Sequence, residues 1–189
     1  MNKIDLKNKD WKEFNLSNIF PEIQRGKRLK KADHLTGSTP YVSSTAMNNG
    51  IDGFIGNDTG VRIFSKCLSL ANSGSVGACF YQPTNFVASD HVTKLENGKF
   101  NKYIYLFLSS VVSRISEKYS FNREINDTRI KKEKILLPIN KNGKPDFQFM
   151  EDYMKAIEYR QLKAYKDYIS KNPVFVERER ERERERNND

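Results

Sequence analysis

Apolar residues follow two different spacings along this chain, and the change of spacing limits the folds that it can adopt. In the middle of the sequence, apolar and polar residues alternate over short segments, which is the two-residue period of a half-buried strand. The segments that predict strands are 40–42, 61–71, 76–81, 86–95 and 134–139. Turn-forming residues separate them, including Asn72-Ser73-Gly74 and Asn142-Gly143. The sequence therefore predicts an α/β (α+β) fold with a mixed, mainly antiparallel sheet.

Two further segments have the three- and four-residue spacing of helices. The first is 101–118, and the second is 146–171, which begins at Asp146 as a plausible N-cap. An apolar stripe runs along the second helix and comprises Met150, Tyr153, Met154, Ile157, Gln161, Ala164, Tyr165 and Tyr168. The stripe can pack on the chain's own domain or against a partner helix, and the sequence leaves both possibilities open. Within it, the candidate dimer or partner contacts are Met150, Met154, Ile157, Gln161 and Tyr165.

The domain organisation that follows is a globular domain at 1–145, a long helix at 146–171 and a tail at 172–189. The tail contains five Glu-Arg dipeptides between Glu177 and Arg186, which pair opposite charges at i,i+3 but like charges at i,i+4 in a helix. This pattern predicts a solvated, disordered tail. We also expect that a GA dinucleotide repeat encodes it and slips during replication, which would cause phase variation. The alternative is an ordinary charged extension, and mixed synonymous codons in this stretch would rule slippage out.

The net charge favours a polyanionic partner. Lysine and arginine outnumber the acidic residues by 33 to 24, which gives a formal charge of +9. Cys67 and Cys79 form no CxxC pair and are interpreted as small buried hydrophobes. No apolar run is long enough for a membrane helix, and the polar segment 1–11 is not a secretory signal, so we expect a cytoplasmic protein without membrane partners.

Motifs for catalysis are missing from the sequence. Ser89-Asp90-His91 contains the residue types of a triad, but adjacent residues do not deliver triad geometry, so a hydrogen-bonded turn is the better interpretation. Residues 74–77 contain two glycines without the Gly-Lys-Ser/Thr of a phosphate loop. No methyltransferase pocket motif and no convergent nuclease carboxylates are recognisable. We therefore predict a chain without catalytic residues, metal ligands or a cofactor of its own.

Two segments combine cations with polar side chains that fit the edges of DNA bases. In such segments Lys and Arg neutralise phosphates, while Arg, Asn, Ser and Thr contact base edges. The first segment contributes Lys27, Arg28, Lys30, Lys31, Ser43, Ser44, Thr45, Asn48 and Asn49 as candidate DNA-binding residues. The second contributes Tyr119, Asn122, Arg123, Asn126, Arg129, Lys131 and Lys132. Either segment alone is also what a solvated lysine-rich loop looks like.

Three motifs follow one another along the chain in an order that resembles a known family. The first is Gly26-Lys27-Arg28-Leu29 followed by residues 40–45, the second is 68–77, and the third is 118–138, which ends in Leu137-Pro138 before the long helix. They are similar to the opening, the central hairpin and the closing segment of a target recognition domain. The family is the specificity subunits of type I and related type IIB and IIG restriction-modification systems. The resemblance covers residues 11–170 and adds the hairpin residues Asn72, Ser73 and Ser75 to the candidate DNA contacts.

The resemblance implies a mixed α/β domain that reads double-stranded DNA without catalysing a reaction. It also implies a helix that pairs with another specificity helix, in a homodimer or with a second subunit, and that docks a DNA methyltransferase subunit. S-adenosylmethionine would be held by that methyltransferase, and a restriction/translocase subunit would complete the system. Full-length members carry two recognition domains and two helices, whereas this sequence matches one of each, so the implied form is a half-length subunit.

Two alternatives remain open at this point. The chain could be the recognition fragment of a fused type IIG methyltransferase-endonuclease, which an upstream in-frame catalytic domain would reveal. It could also be a regulator that binds the methyltransferase without reading DNA, although such a protein would not need the polar loops.

Overall fold

The computed structural model describes residues 4–119 and 124–172, together with Glu177, Arg178, Glu181, Arg184 and Arg186 of the tail. The strands are β1 (Trp11–Asn15), β2 (Glu22–Arg25), β3 (Thr39–Val42), β4 (Ile51–Ile55), β5 (Ile63–Phe64), β6 (Cys67–Ala71), β7 (Cys79–Gln82), β8 (Phe86–Ala88), β9 (Val92–Glu96) and β10 (Lys134–Pro138). The α-helices are α1 (Leu16–Ile19), α2 (Lys102–Val112), α3 (Asp127–Lys132) and α4 (Phe147–Lys171).

The strands form one two-stranded and two four-stranded sheets. β1 pairs with β10, and the central sheet has the order β2-β9-β6-β7 with antiparallel neighbours throughout. The outer sheet has the order β4-β3-β8-β5, in which β3 and β8 are parallel and the other pairs are antiparallel. The predicted mixed α/β fold with a mainly antiparallel sheet is confirmed.

The largest core lies between the central sheet and the helices. Leu68 and Leu70 of β6 project into it and pack with Tyr105 and Leu108 of α2 and Met150 of α4, all of which are fully or almost fully buried. Each of these side chains contributes about 1.5–3 kcal/mol to folding through burial alone. The core thereby fixes α2 and the first turns of α4 to one face of the sheet.

The opposite face of β6 packs on the outer sheet. Cys67 contacts a second core that includes Val42, Phe86 and Val92. Both cysteines are free and buried, and burial raises the pKa of the Cys67 thiol to about 12. They therefore act as small apolar side chains, as the sequence predicted.

Two predicted strands are each divided in the structure. Segment 61–71 is β5 and β6, which lie in different sheets, because Lys66 adopts a left-handed backbone with a φ of 50°. Segment 86–95 is β8 and β9, separated by the turn Ser89-Asp90-His91. β4 (Ile51–Ile55) was not among the predicted strands. Alternation alone does not show where a strand leaves one sheet and enters another.

Helix α2 begins where the sequence predicted, because Asn101 caps it by accepting hydrogen bonds from the backbone of Tyr103 and Ile104 at 3.0 and 3.1 Å. It continues as a 3-10 helix over Ser113–Lys118. Asp146 caps α4 in the same way, since its carboxylate accepts from the Phe149 N–H at 3.0 Å. Both predicted helices are therefore confirmed.

Asp146 also predicts a dependence of stability on pH. Its partial burial opposes ionisation, but the Lys9 ammonium at 2.6 Å and the Phe149 N–H hold its pKa below the ordinary value of 3.8. The stabilisation is present above that ordinary pKa and is lost as the pH falls through the lowered one. Asp146→Asn keeps an N-cap side chain, and in urea unfolding its free energy should fall less steeply below pH 4 than that of the parent chain. Asp146→Ala loses the cap as well, which should lower the unfolding free energy by about 1 kcal/mol at pH 7. If the unfolding free energy of Asp146→Asn fell below pH 4 as steeply as that of the parent chain, the role assigned to Asp146 would be contradicted.

The two halves of α4 have different surroundings. Met150 is fully buried in the chain's own core, and Tyr153 and Met154 pack against that core. The prediction that Met150 faces a partner helix is therefore wrong, because the helix begins against α2 and the central sheet. Beyond Glu158 the large apolar side chains are exposed, which leaves that half of the stripe uncovered.

The tail differs from its prediction at the five residues that are described. All five have helical backbone and exposed side chains, whereas disorder was predicted. Glu and Arg are both good helix formers, and their opposite charges at i,i+3 offset the like charges at i,i+4.

Among the described residues, no helix combines the length and the apolar character that crossing a membrane requires.

Candidate nucleic-acid interface

Five loop segments meet at one edge of the two four-stranded sheets. We call this surface the loop edge, and it consists of residues 26–31, 43–50, 72–78, 89–91 and 124–126. The turn 89–91 is its centre. The Ser89 N–H donates to the Val42 carbonyl at 3.0 Å, and the His91 carbonyl accepts from the Asn72 N–H at 2.8 Å. The β8–β9 turn is therefore fixed to both neighbouring loops through backbone hydrogen bonds.

The remaining segments attach in the same manner. The Ser75 N–H donates to the Ser44 carbonyl at 3.0 Å, which joins the second and third segments. The Ile125 N–H donates to the Asn72 carbonyl at 3.0 Å, and the Arg25 guanidinium donates to the Ile125 carbonyl at 3.1 Å. Residues that lie up to a hundred positions apart in the sequence thus form one continuous surface.

Gly26 is the point where the cationic segment crosses the β8–β9 turn. Its N–H donates to the Val92 carbonyl at 2.8 Å, and the Lys27 N–H donates to the Ala88 carbonyl at 3.1 Å. A Cβ at position 26 would lie 2.1 Å from the Ser89 carbonyl oxygen, a distance that no side chain can occupy. The Gly-Lys-Arg-Leu motif therefore needs its glycine for close approach of two backbones.

A cleft of about 710 Å³ opens between the cationic segment, β3, β4 and the turn 89–91. Arg28, Lys30 and Lys31 line it together with the carboxylates of Asp52 and Asp90. The other lining residues are Leu29, His34, Leu35, Thr36, Tyr41, Ser43, Gly53, Phe54, Ile55, Ser89 and His91. The cleft is thus a basic surface that also offers hydrogen-bond acceptors and exposed apolar groups.

The phenol of Tyr41 forms part of the cleft wall. Burial, and then the negative charges of Asp90 and Asp52, raise its pKa above the ordinary value of 10.0. The ring of His34 lies 4.6 Å from that of Tyr41 in an edge-on arrangement. Tyr41 is therefore a neutral hydroxyl at physiological pH, and it repels no phosphate.

A second, more open groove of about 500 Å³ lies beside the cleft. The hairpin segment 74–78 forms one wall, and Ser113, Ser116 and Tyr119 form the other. Gly77 fits against Ser116 so closely that a Cβ would lie 2.6 Å from the serine Cβ. This packing fixes the hairpin to the end of α2.

Many of the predicted DNA contacts meet at the loop edge. Lys27, Arg28, Lys30 and Lys31 are exposed along the cleft side, and Asn48 and Asn49 are exposed at the tip of the second segment. Both asparagines have a left-handed backbone, with φ values of 49° and 54°. The partly exposed members of the predicted set at this edge are Ser43, Ser44, Thr45 and Ser75.

Other predicted contacts have structural roles instead. Asn72 is fully buried, and its side chain accepts from the Thr93 hydroxyl at 2.8 Å, so it holds the hairpin to β9. Ser73 is buried against His91. Tyr119 is buried, and its hydroxyl donates to Glu133 at 2.5 Å. Asn126 caps α3 by accepting from the Arg129 N–H at 2.8 Å. Short polar side chains satisfy the backbone of turns and helix ends as readily as they contact bases.

Of the α3 cations, Arg129 contacts the loop edge, whereas Lys131 and Lys132 lie away from it. The Arg129 guanidinium donates to the Glu124 carbonyl at 2.8 Å. Helix α3 begins beside Arg25 and ends at Glu133, whose carbonyl accepts from the Leu16 N–H. Lys131 and Lys132 therefore lie at the end of α3 that is far from Arg25. Both are exposed. Asn122 and Arg123 lie outside the described residues, and their assignment stays a prediction.

The sequence reasoning missed three polar groups of the cleft, namely His34, Asp52 and Asp90, and assigned His91 only to a turn. The signal for Asp90 and His91 was the polar triplet inside an otherwise apolar run, since such an interruption marks a loop at a strand end.

Within the described part of the chain, no three His, Cys, Asp or Glu side chains lie close enough to hold a metal ion.

Comparison with known proteins places this geometry in context. A family model described as the type I restriction modification DNA specificity domain matches residues 8–165. The specificity subunit S.BcgI of a type II restriction enzyme from Heyndrickxia coagulans is 39% identical over 155 residues, which are 81% of this chain and 45% of that protein. The chain thus spans about half the length of this curated relative.

Solved structures share the fold at low sequence identity. The S subunit of a type I restriction-modification system from M. genitalium aligns with a TM-score of 0.58 and 20% identity, over 87% of this chain and 43% of that one. The HsdS subunit from Thermoanaerobacter tengcongensis aligns with a TM-score of 0.58 and 10% identity, over 94% and 44% respectively.

Proposed function

The chain belongs to the family of type I restriction-modification DNA specificity domains, and on this premise we propose that it reads a short sequence of double-stranded DNA through its loop edge. The observation that carries the proposal is the convergence of the five loop segments on one basic surface. Four exposed cations lie there beside amides, hydroxyls and carboxylates, so phosphate contacts and base contacts are available from a single rigid edge.

We propose that the chain has no catalytic role and directs a partner. The buried thiols are inert, and no triad geometry arises at Ser89-Asp90-His91, because the His91 ring nitrogen Nδ1 lies 2.7 Å from the Ser73 hydroxyl, and Ser89 bonds only the His91 backbone N–H among the described atoms of His91. A methyltransferase subunit would hold S-adenosylmethionine and extrude the target base, and a restriction subunit would complete the system. Since DNA is the ligand, the chain would act in the bacterial cytoplasm.

Selection from a random duplex library tests the DNA-reading proposal. The full chain, alone and with a methyltransferase subunit from the same organism, should enrich one short motif at physiological salt. Binding that is sensitive to salt but enriches no motif under either condition would contradict sequence recognition.

The uncovered half of α4 is the proposed site for a partner helix. Tyr159, Leu162, Tyr165 and Tyr168 are 57–62% exposed. They recur at three-residue steps, so the row turns by about 60° per step around the helix, and Leu162 and Tyr165 are neighbours within it. Of the predicted partner contacts, Tyr165 belongs to this set, whereas Met150 is buried and Met154 packs on the chain's own core. The assignment of Ile157 and Gln161 stays a prediction. A second specificity helix, from another copy or another subunit, would cover the stripe, and a two-fold pair would read a symmetric, interrupted site.

We expect the double substitution Leu162→Glu and Tyr165→Glu to abolish self-association or docking of the methyltransferase subunit, because two charges would be buried in an apolar interface. Light scattering of the chain with and without that subunit measures the assembled mass. Lys163→Gln with Ser170→Glu changes the net charge equally on the other side of the helix and should leave the mass unchanged. An unaltered mass in the first variant would contradict the role of the stripe.

A further inference from the structure

The His91 side chain is held in one orientation at the centre of the loop edge. Its Nδ1 lies 2.7 Å from the Ser73 hydroxyl oxygen, and its backbone carbonyl accepts from Asn72. The imidazole is nevertheless 52% exposed and lines the cleft, so its other nitrogen is accessible. A ring that is fixed at one nitrogen and free at the other is preorganised for a directional contact.

Ser73 determines which nitrogen carries the proton. Its side chain is buried, and among the described residues His91 Nδ1 is the hydrogen-bond partner of its hydroxyl. If Nδ1 donated to the serine oxygen, the serine hydrogen would be buried without an acceptor, which costs about 1–3 kcal/mol. The hydroxyl therefore donates to Nδ1, and the neutral imidazole presents Nε2–H to the cleft.

Asp90 presents acceptors beside that donor. One carboxylate oxygen lies 3.9 Å from His91 Nε2, which is too long for a hydrogen bond, and the side chain is 30% exposed. Within the described ranges, no lysine or arginine forms an ion pair with Asp90. A carboxylate on a basic DNA-facing surface repels phosphates, so a productive contact from Asp90 must be to an amino group.

We propose that Asp90 and His91 together read one base pair in the major groove, with Ser73 as the positioning residue. This inference rests on the proposed function and deepens it. His91 Nε2–H donates to a base acceptor, while the Asp90 carboxylate accepts from the adjacent exocyclic amino group. Three arrangements offer this neighbouring pair: adenine N7 with N6, thymine O4 with adenine N6 in an A·T pair, and guanine O6 with cytosine N4 in a G·C pair.

Library selection with variants of the full chain tests the proposal. Asp90→Ala and His91→Ala should each relax the same single position of the motif and weaken binding to the parent motif about 5- to 150-fold. The base pair at that position shows whether an A·T or a G·C pair is read. Asp52→Ala is the matched control, since it removes one negative charge from the same cleft and should strengthen binding to all sequences without changing the motif.

The positioning role of Ser73 has its own readout. Ser73→Ala should relax the same motif position, and imidazole ¹⁵N spectra should show the Nε2–H tautomer of His91 in the parent chain and a mixture of tautomers in the variant. Only His34 shares these signals, so a His34 variant assigns them. Circular dichroism verifies that each variant is folded.

Several results would overturn the proposal. An unchanged motif in folded Asp90→Ala or His91→Ala would remove the base contact while leaving DNA recognition intact. Stronger binding of Asp90→Ala to all sequences, as expected for the Asp52 control, would also exclude a base contact from Asp90. Spectra that showed the His91 proton on Nδ1 in the parent chain would exclude Nε2–H as the donor to a base. If the parent chain itself enriched no motif, the proposed function and this inference would both fall.

Discussion

Replacing Lys27, Arg28, Lys30 and Lys31 together by alanine will weaken binding to every duplex sequence by on the order of 10²- to 10³-fold at physiological salt. All four side chains are exposed on one side of the loop edge, where they can neutralise phosphates and release counterions. Each lost phosphate contact lowers the slope of log affinity against log salt by roughly 0.9, so the four together lower it by up to about 3.6. Binding titrations with the parent motif and with an unrelated duplex, at salt concentrations from about 50 to about 400 mM, measure this slope.

A matched variant distinguishes contact from general attraction. Alanine at Lys141, Lys144, Lys163 and Lys166 removes the same charge from exposed positions outside the loop edge. Equal slopes in the two quadruple variants would contradict a phosphate-binding role for the first set. Lys131 and Lys132 lie outside the loop edge, so their predicted DNA contact is tested separately. Alanine at both flattens the slope by about one unit per lost contact if bound DNA extends to them, and an unchanged slope would remove those two from the interface.

Gly26→Ala will cost the chain about 3 kcal/mol or more in unfolding free energy, or will displace the cationic segment and abolish DNA binding. The added methyl group would lie within 2.1–2.6 Å of the Ala88 and Ser89 backbone, which cannot move without breaking the β8–β9 turn. Urea unfolding and duplex binding of the same preparation separate the two results.

Gly98→Ala is the control for that substitution, because a Cβ there has open space around it and its backbone is not left-handed. It should change the unfolding free energy by less than about 0.5 kcal/mol. Parent-like stability and binding in Gly26→Ala would show that the crossing of the two backbones does not position the loop edge.

The sequence predicted the parts of the fold that depend on local spacing. The apolar periods of α2 and α4, the Asp146 cap and the closing strand β10 all follow from neighbouring residues. The division of residues 61–71 between two sheets did not, since it depends on a single left-handed residue, Lys66, and on which sheet each half joins.

The candidate site was predicted in part for a related reason. Long cations such as Arg28 and Lys31 are mostly exposed wherever they occur, so their place on the surface followed from residue type. Asn72 and Asn126 have the same chemistry as a base-reading asparagine, and only the structure shows that their oxygens are committed to Thr93 and Arg129. Which half of the α4 stripe is covered likewise depends on where α2 ends.

The most direct measurement of the central claim, that this chain selects the DNA sequence to be methylated, is the methylome of cells with the gene, without it, and with it restored. We predict that one methylated motif disappears with the gene and returns with it, and that restoring the Asp90→Ala form returns the motif with one position relaxed. An identical set of methylated motifs in all three strains would contradict the account.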